Sequence, residues 1–277
     1  MTEPPASKTQ GQPAGVSQRS VWRIRGAAGE RVDDVIADEV PVALVINETP
    51  FAVMMATPCD LEDFALGFCL SEAIIEHAAD LHGIDVRAQL EGVSLALRIS
   101  PEQAAGLTQR QRGMEGRSGC GLCGASTLEQ VVRLPAQVPP HAPVSLSALR
   151  RGLAGLAAAQ PLNAATGATH AAAWLDPTGK VLALREDVGR HNALDKVIGA
   201  MHRSGLDSQH GLLLLTSRAS YEMVMKAATV GIHTIAAISA PTALAITLAD
   251  QAGVSLIGFA RGDDCVIYTH AEGISKD

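Results

Sequence analysis

GLLLLTSRASYEMVMKAATVGIHTIAAISA, residues 211–240, sets the fold class of this chain. Leu212 to Leu215 is a short, wholly apolar run. Tyr221 to Val230 has helical composition, and Thr234 to Ile238 is a second β-rich run. A strand that is apolar on both faces must be covered on both faces. Strands alternating with helices therefore imply a sheet held between helical layers. The alternation extends both ways. Upstream lie a helix over Ser145 to Ala159, capped by Ser145 or Ser147, and strands Thr169 to Leu175 and Val181 to Glu186. The turn Asp176-Pro177-Thr178-Gly179 joins those strands, and a helix follows from about Asn192 to Met201. Downstream come helix Thr242 to Ala252 and strands Val254 to Phe259 and Val266 to Tyr268. The expectation for 144–277 is an α/β domain with three αβα layers.

The N-terminal half reads differently. Val40 to Ile46 and Phe51 to Met55 form a hairpin around Asn47-Glu48-Thr49-Pro50. Thr57-Pro58 opens a helix reaching about Ile75, with Pro in the first turn and Asp60, Glu62 and Asp63 near its positive end. Val93 to Ser100 alternates as a half-buried strand. Gln103 to Gly119 reads as a mobile loop, Ser126 to Leu134 as a short helix, and Pro135 to Pro143 as a linker. Residues 1–20, polar and rich in Pro, Gly and Ser, read as a disordered tail without a signal pattern. The expected division is thus a smaller α+β domain over 21–134 and the α/β domain over 144–277.

The chain has 277 residues, 47% hydrophobic, enough to bury a sizeable core. A net charge of −7 argues against generic affinity for nucleic acid or anionic membrane. The apolar stretch from Ile232 to Ala249 is broken by His233, Ser239 and Pro241, so it is not a membrane span. Five cysteines with no leader fit a reducing cytoplasm.

Chemistry concentrates in two places. Arg117-Ser118-Gly119-Cys120-Gly121-Leu122-Cys123-Gly124 sets two thiols three positions apart within glycine, with Arg110, Arg112 and Arg117 just upstream. An electropositive, partly exposed loop is where thiolates form, and only the thiolate is nucleophilic. A structural zinc site needs a second ligand pair at short spacing, and none is present. A thioredoxin-like pair would follow a strand, and this one follows a loop. Cys59, Cys69 and Cys265 lie in or beside apolar segments and read as packed small hydrophobes. The second place is the set of strand ends in the α/β domain, where ligands of open sheets bind. They read Arg185 to Asn192, Thr216 to Ser220, Ser239 to Thr242 and Phe259 to Asp264. All are polar and three carry arginine, which suits an anionic, nucleotide-like ligand. Arg190 and His191 fit ligand binding or helix capping equally well, with Asp187 and Asp195 as possible salt-bridge partners.

Thr57 to Phe68, Arg117 to Gly124, Asp187 to Lys196, Thr216 to Glu222, Ser239 to Thr242 and Gly258 to Arg261 together resemble the formate dehydrogenase accessory sulfurtransferases, the FdhD/NarQ family. They run in order from about residue 40 to the C-terminus. The resemblance implies that sulfur is taken from a cysteine desulfurase as a cysteine persulfide. It implies transfer to the molybdenum cofactor in its bis-guanine-dinucleotide form, bound as substrate, for the formate dehydrogenase catalytic subunit. Carried over, Cys120 holds the persulfide, and Cys123 shares the sulfur or attacks Cys120 to release it as sulfide. Phe259, Ala260, Arg261, Gly262, Asp263 and Asp264 match the family's cofactor-binding loop; Arg190, His191, Ser217 and Arg218 complete the expected cofactor site. The resemblance further implies a cytidine deaminase-like fold, a homodimer and no resident metal. Deaminase chemistry itself is not expected: it needs H-x-E followed by P-C-x-x-C, whereas Ala171 and Ala172 follow His170.

Two other function classes fit the residues. A dithiol oxidoreductase would cycle between thiols and a Cys120–Cys123 disulfide. A non-catalytic carrier would bind the molybdenum cofactor through the strand-end arginines and leave the cysteines idle.

Overall fold

The computed structural model describes residues 13–107 and 137–276. The chain opens with an antiparallel ribbon, β1 (Val16–Arg25) and β2 (Ala28–Ala37). The tail read over 1–20 therefore ends by Val16. In β1, Trp22 and Ile24 alternate with Arg23 and Arg25, a β pattern masked in the sequence by the polar residues around it.

A four-stranded sheet follows, built from β3 (Val40–Ile46), β4 (Thr49–Ala56), β5 (Gly83–Gln89) and β6 (Gly92–Arg98), in the order β4-β3-β6-β5. The β3–β4 hairpin turns through Asn47 and Glu48, both at positive φ. Helix α1 covers Leu61–Ser71, starting later than Thr57-Pro58 suggested. Asp60, at φ 52°, is its N-cap, so Pro58 stands ahead of the helix and not in its first turn. Helix α2 spans Pro101–Ala105 and corrects part of the expected loop. Its signal was present: Ser100 accepts from the Gln103 N–H, Gln103 reaches back to the Ser100 N–H, and Pro101 stands at N1.

The C-terminal elements are β7 (Val144–Ser145), α3 (Leu146–Leu156), α4 (Pro161–Thr166), β8 (His170–Leu175), β9 (Val181–Asp187) and α5 (Arg190–Arg203). They continue with β10 (Leu212–Leu215), α6 (Tyr221–Thr229), β11 (Thr234–Ala237), α7 (Ala243–Ala252), β12 (Ser255–Arg261), β13 (Asp264–Thr269) and β14 (Ile274–Ser275). Ser145 caps α3 through the Ala148 N–H at 3.1 Å. Six strands form one sheet in the order β13-β12-β11-β10-β8-β9. β10, β11 and β12 are parallel, β8 is antiparallel to β10, and β9 is antiparallel to β8. The carboxyl ends of β9 to β12 therefore share one edge. β7 pairs with β14 in a separate two-stranded strip.

Side chains of this sheet split by face. Trp174, Leu213, Leu215 and Ile235 pack with α5, α6 and α7, whereas Leu175, Leu212, Leu214 and Ile257 pack with Leu149 and Leu156 of α3. The first cluster continues through α1, by way of Phe64 and Phe68, to Val42, Leu44, Leu95 and Leu97 of the four-stranded sheet. The result is a mixed α/β architecture with several sheets, in which α1 and α5 form the contact between the two larger ones.

That contact is close because it is made of glycine. A Cβ on Gly67 would collide with the Asp195 carbonyl, and one on Gly199 with the Asp63 carbonyl. No helix among the described residues is long and apolar enough to cross a membrane.

Candidate functional site

The strand-end segments singled out in the sequence meet on the shared edge. Thr216 Oγ1 accepts from the Ala171 N–H at 2.8 Å, tying the end of β10 to the start of β8. Ala219 and Pro241 form an isolated bridge, and the Thr242 N–H donates to the Ala219 carbonyl. The Phe259 N–H donates to Ser239, and Arg261 Nε donates to the Ile238 carbonyl at 3.0 Å. Ser217, Arg218, the Ser239–Thr242 segment and the Phe259–Asp264 turn thus line one continuous surface. Asp263 is held by Arg150, whose Nη2 donates to its carbonyl at 3.2 Å.

Phe259 is 44% exposed with φ 51°, a left-handed backbone that costs a Phe about 1–2 kcal/mol. Strained, exposed aromatic residues cluster where a ligand is clamped. Gly262, at φ 56° with open space around it, makes the turn into β13.

The same edge carries two helix starts that no side chain caps. α5 begins at Gly189, which has no side chain to cap with, and the Ser220 side chain makes no cap bond to α6. Arg190 Nε and Ser220 Oγ are buried with no hydrogen-bond partner among the described residues. His191 Nε2 lies 2.8 Å from Glu222 Oε2. His170 is pushed below the usual histidine range, first by burial and then by the positive charges of Arg190 and His191. The positive ends of two helices without side-chain caps and three arginines make an electropositive edge on an acidic protein. Its chemistry suits phosphate oxygens.

Behind this edge lies a buried polar junction that the sequence reading did not assemble. Lys196 Nζ is 2.7 Å from Asp187 Oδ2, and both side chains are 0% exposed. Lys196 also donates to the Thr57 carbonyl at 2.9 Å. Asp187 accepts from the Thr57 N–H, the Gly189 N–H and Asn192 Nδ2. Asn192 Nδ2 reaches the Met55 carbonyl as well, at 2.7 Å. This knot fixes the start of α5 against the β4–α1 connection. Asp187 thus serves Lys196, not the Arg190–His191 pair. Asp195 likewise serves Lys226 and Ser71, at 2.9 and 2.6 Å. Burial opposes the charge on Lys226, but Asp195 and Glu72 outweigh it and hold that ammonium well above its usual range.

An open cleft of about 550 Å³ lies elsewhere, lined by Asp60, Glu62, Asp63, Arg185 and Arg203 among others. Asp63 pairs with Arg185 at 2.6 Å and with Arg203 at 2.9 Å, so its charges compensate one another.

Three thiols lie among the described residues, and burial raises all of them: Cys59 to about 11, Cys69 to about 12, and Cys265 above its normal value. Lys196, 3.9 Å from Cys59 Sγ, only partly offsets that burial. These groups stay protonated near neutral pH and pack as the sequence suggested. Cys120 and Cys123 lie outside the described residues. No cluster of three or more His, Cys, Asp or Glu that could hold a metal occurs among the described residues.

Comparison with known proteins gives consistent results. The model of the FdhD/NarQ family matches residues 37–275. A protein named sulfur carrier protein FdhD from Xanthomonas euvesicatoria pv. vesicatoria (strain 85-10) is 57% identical over 254 residues, covering 92% of this chain and 90% of its own. Its namesake from Bordetella petrii is 49% identical over 255 residues, covering 91% and 92%. The crystal structure of a protein described as a formate dehydrogenase accessory protein from Desulfotalea psychrophila superimposes with a TM-score of 0.71. It covers 94% of this chain and 99% of its own at 21% identity, a likeness of fold.

Proposed function

This chain belongs to the FdhD/NarQ family, and on that premise we propose that it carries sulfur for the maturation of formate dehydrogenase. In the finer reading, the Cys120 thiolate attacks the terminal sulfur of a persulfide on a cysteine desulfurase. The S–S bond of the donor breaks, its own thiolate leaves, and Cys120 becomes the persulfide. Cys123 then shares the sulfur, or its thiolate attacks the inner sulfur of Cys120 and expels hydrosulfide as a disulfide forms. The acceptor is the bis-guanine-dinucleotide molybdenum cofactor, bound as substrate. Whether each round is enzymatic turnover or stoichiometric delivery depends on release, and the sulfurtransferase reading takes it as turnover.

One observation carries the acceptor half of this reading: the electropositive edge, with two helix starts that no side chain caps and a buried Arg190 Nε without a hydrogen-bond partner among the described residues. Those donors fit diphosphate oxygens. Arg190, Arg218 and Arg261 would hold them, and Phe259 would stack on a base. The high pKa values of Cys59 and Cys69 support assigning the chemistry to the C-x-x-C pair. The layered six-stranded sheet, with helices on both faces, supports a cytidine deaminase-like core carrying a different site.

Guanosine diphosphate is the probe for this site. By calorimetry the protein is expected to bind it, Arg261→Ala to bind it at least about tenfold more weakly, and Cys120→Ala to bind it unchanged. Absence of binding, or Arg261→Ala at wild-type affinity, contradicts the acceptor half.

A further inference from the structure

Among the described residues, four buried side-chain polar atoms have no hydrogen-bond partner: Trp174 Nε1, Arg190 Nε, His191 Nε2 and Ser220 Oγ. Three of the four lie where α5 and α6 begin, and such groups are costly unless something occupies them. Arg190 and His191 open α5; Ser220 is the N-cap of α6, and Glu222 stands in its first turn. His191 Nε2 lies 2.8 Å from Glu222 Oε2, with the side chains 10% and 19% exposed. The distance is that of an ion pair, yet Nε2 makes no well-aligned hydrogen bond, so charge and not direction joins the two. One turn further along both helices, Asp195 and Lys226 form the next rung at 2.9 Å, with the signs reversed.

A carboxylate is out of place on an edge that suits phosphate. Glu222 gains from the positive end of α6, but a diphosphate bound there meets its charge at close range. Histidine is the side chain whose proton comes and goes between about pH 5 and 8. With His191 neutral the pair is an anion; with His191 protonated its charges cancel. The other charged and titratable groups around it are Arg190 beside it, Arg218 ahead of α6, His170 at the start of β8 and Asp187, which pairs with His170 in the sheet. Asp187 is spent on Lys196, and the Asp195–Lys226 rung is closed by Glu72 and Ser71. Burial and the charges of Arg190 and His191 hold His170 below the usual histidine range. The His191–Glu222 pair is thus the place on this edge where one proton changes the net charge.

We propose that the His191–Glu222 pair is a proton-linked release switch: the edge holds a diphosphate while His191 carries a proton and lets it go when that proton leaves. The switch rests on the acceptor reading above and adds to it a means by which a carrier parts with the ligand it binds. Protonated, His191 cancels the Glu222 charge and leaves Arg190, Arg218 and Arg261 unopposed. Deprotonated, it leaves the carboxylate facing the phosphates at the start of α6, and affinity drops.

Calorimetry of the full chain with diguanosine diphosphate tests it, because a diphosphate diester neither gains nor loses a proton where histidine titrates, from about pH 5.5 to 8. The wild-type protein is expected to bind at least about tenfold more weakly at the upper pH than at the lower. His191→Gln is expected to bind weakly at both, and His170→Gln to keep the wild-type dependence. Glu222→Gln is expected to bind at least about threefold more tightly than wild type at the upper pH, an effect no helix-capping role would give. Should a variant fail to fold, the wild type alone still decides. Measured in two buffers of different ionisation enthalpy, its binding should take up protons, and no uptake overturns the switch. Affinity that ignores pH, a pH dependence that survives in His191→Gln, or Glu222→Gln no tighter than wild type at the upper pH overturns the switch and leaves the acceptor site standing. Absence of binding at both pH values overturns the two together.

Discussion

Lys196 shows how much one side chain can hold in this fold. Its ammonium is fully buried, and it bonds a carboxylate from the end of β9 and a carbonyl from the β4–α1 connection. Breaking a buried pair leaves an uncompensated charge. Lys196→Met is expected to cost about 3–5 kcal/mol in urea unfolding. Adding Asp187→Asn should recover part of that, because the stranded charge is removed. A Lys196→Met protein within about 1 kcal/mol of wild type would refute this reading. The sequence displayed both residues in one conspicuous run yet hid the bond. Asp187 and Lys196 are nine positions apart across a strand–helix junction, and the third party, Thr57, is 139 residues from Lys196. Charge patterning along a chain reports neighbours on one element and says nothing of such a meeting. The thiols were legible for the opposite reason. Cys59, Cys69 and Cys265 sit in or beside apolar runs, and burial follows from that local context.

At the scale of elements, the α1–α5 contact is set by Gly67 and Gly199, each facing backbone of the other helix. Gly199→Ala is expected to destabilise by about 1–3 kcal/mol as the helices are forced apart. Gly155→Ala, on the exposed face of α3 with nothing within 4 Å, should instead stabilise by about 0.4–1 kcal/mol. Equal effects of the two changes would mean the close approach is not structural.

The start of β11 carries a second prediction. His233 donates or accepts at both ring nitrogens, with Thr234 Oγ1 and the Gln209 carbonyl, and its ring stacks on His141 at 3.3 Å. Burial first, then the charge of His141, depress its pKa to about 4, with His210 adding to that and Asp207 opposing. The unfolded chain takes up a proton near pH 6.5 that the folded one refuses. This contribution to stability is therefore complete above about pH 6.5 and lost as pH falls toward 4. Urea midpoints at pH 7.5 and 5 should diverge in the wild type and converge in His233→Gln. An unchanged slope in the variant contradicts the assignment.

Elements differed in how plainly the sequence announced them. The apolar strands β10 and β11 and the helices α6 and α7 stood out because a strand buried on both faces has no polar residues to blur it. β5 passed unread: five of its seven residues are exposed, so no alternation survives. The ribbon failed similarly, since its order comes from cross-strand pairing.

Across the whole molecule, the two larger sheets share one hydrophobic cluster through α1 and α5, and the proposed cofactor edge sits where the second sheet's strands end. That edge was legible because strand order alone puts β9 to β12 carboxyl ends together once they run the same way. The proposed function rests on Cys120 carrying the sulfur. The most direct test is peptide mass spectrometry after incubation with a cysteine desulfurase and free cysteine. One added sulfur is expected on the Cys120 peptide, removed by reductant and absent in Cys120→Ala. A competent desulfurase that leaves the Cys120 peptide unchanged would contradict it.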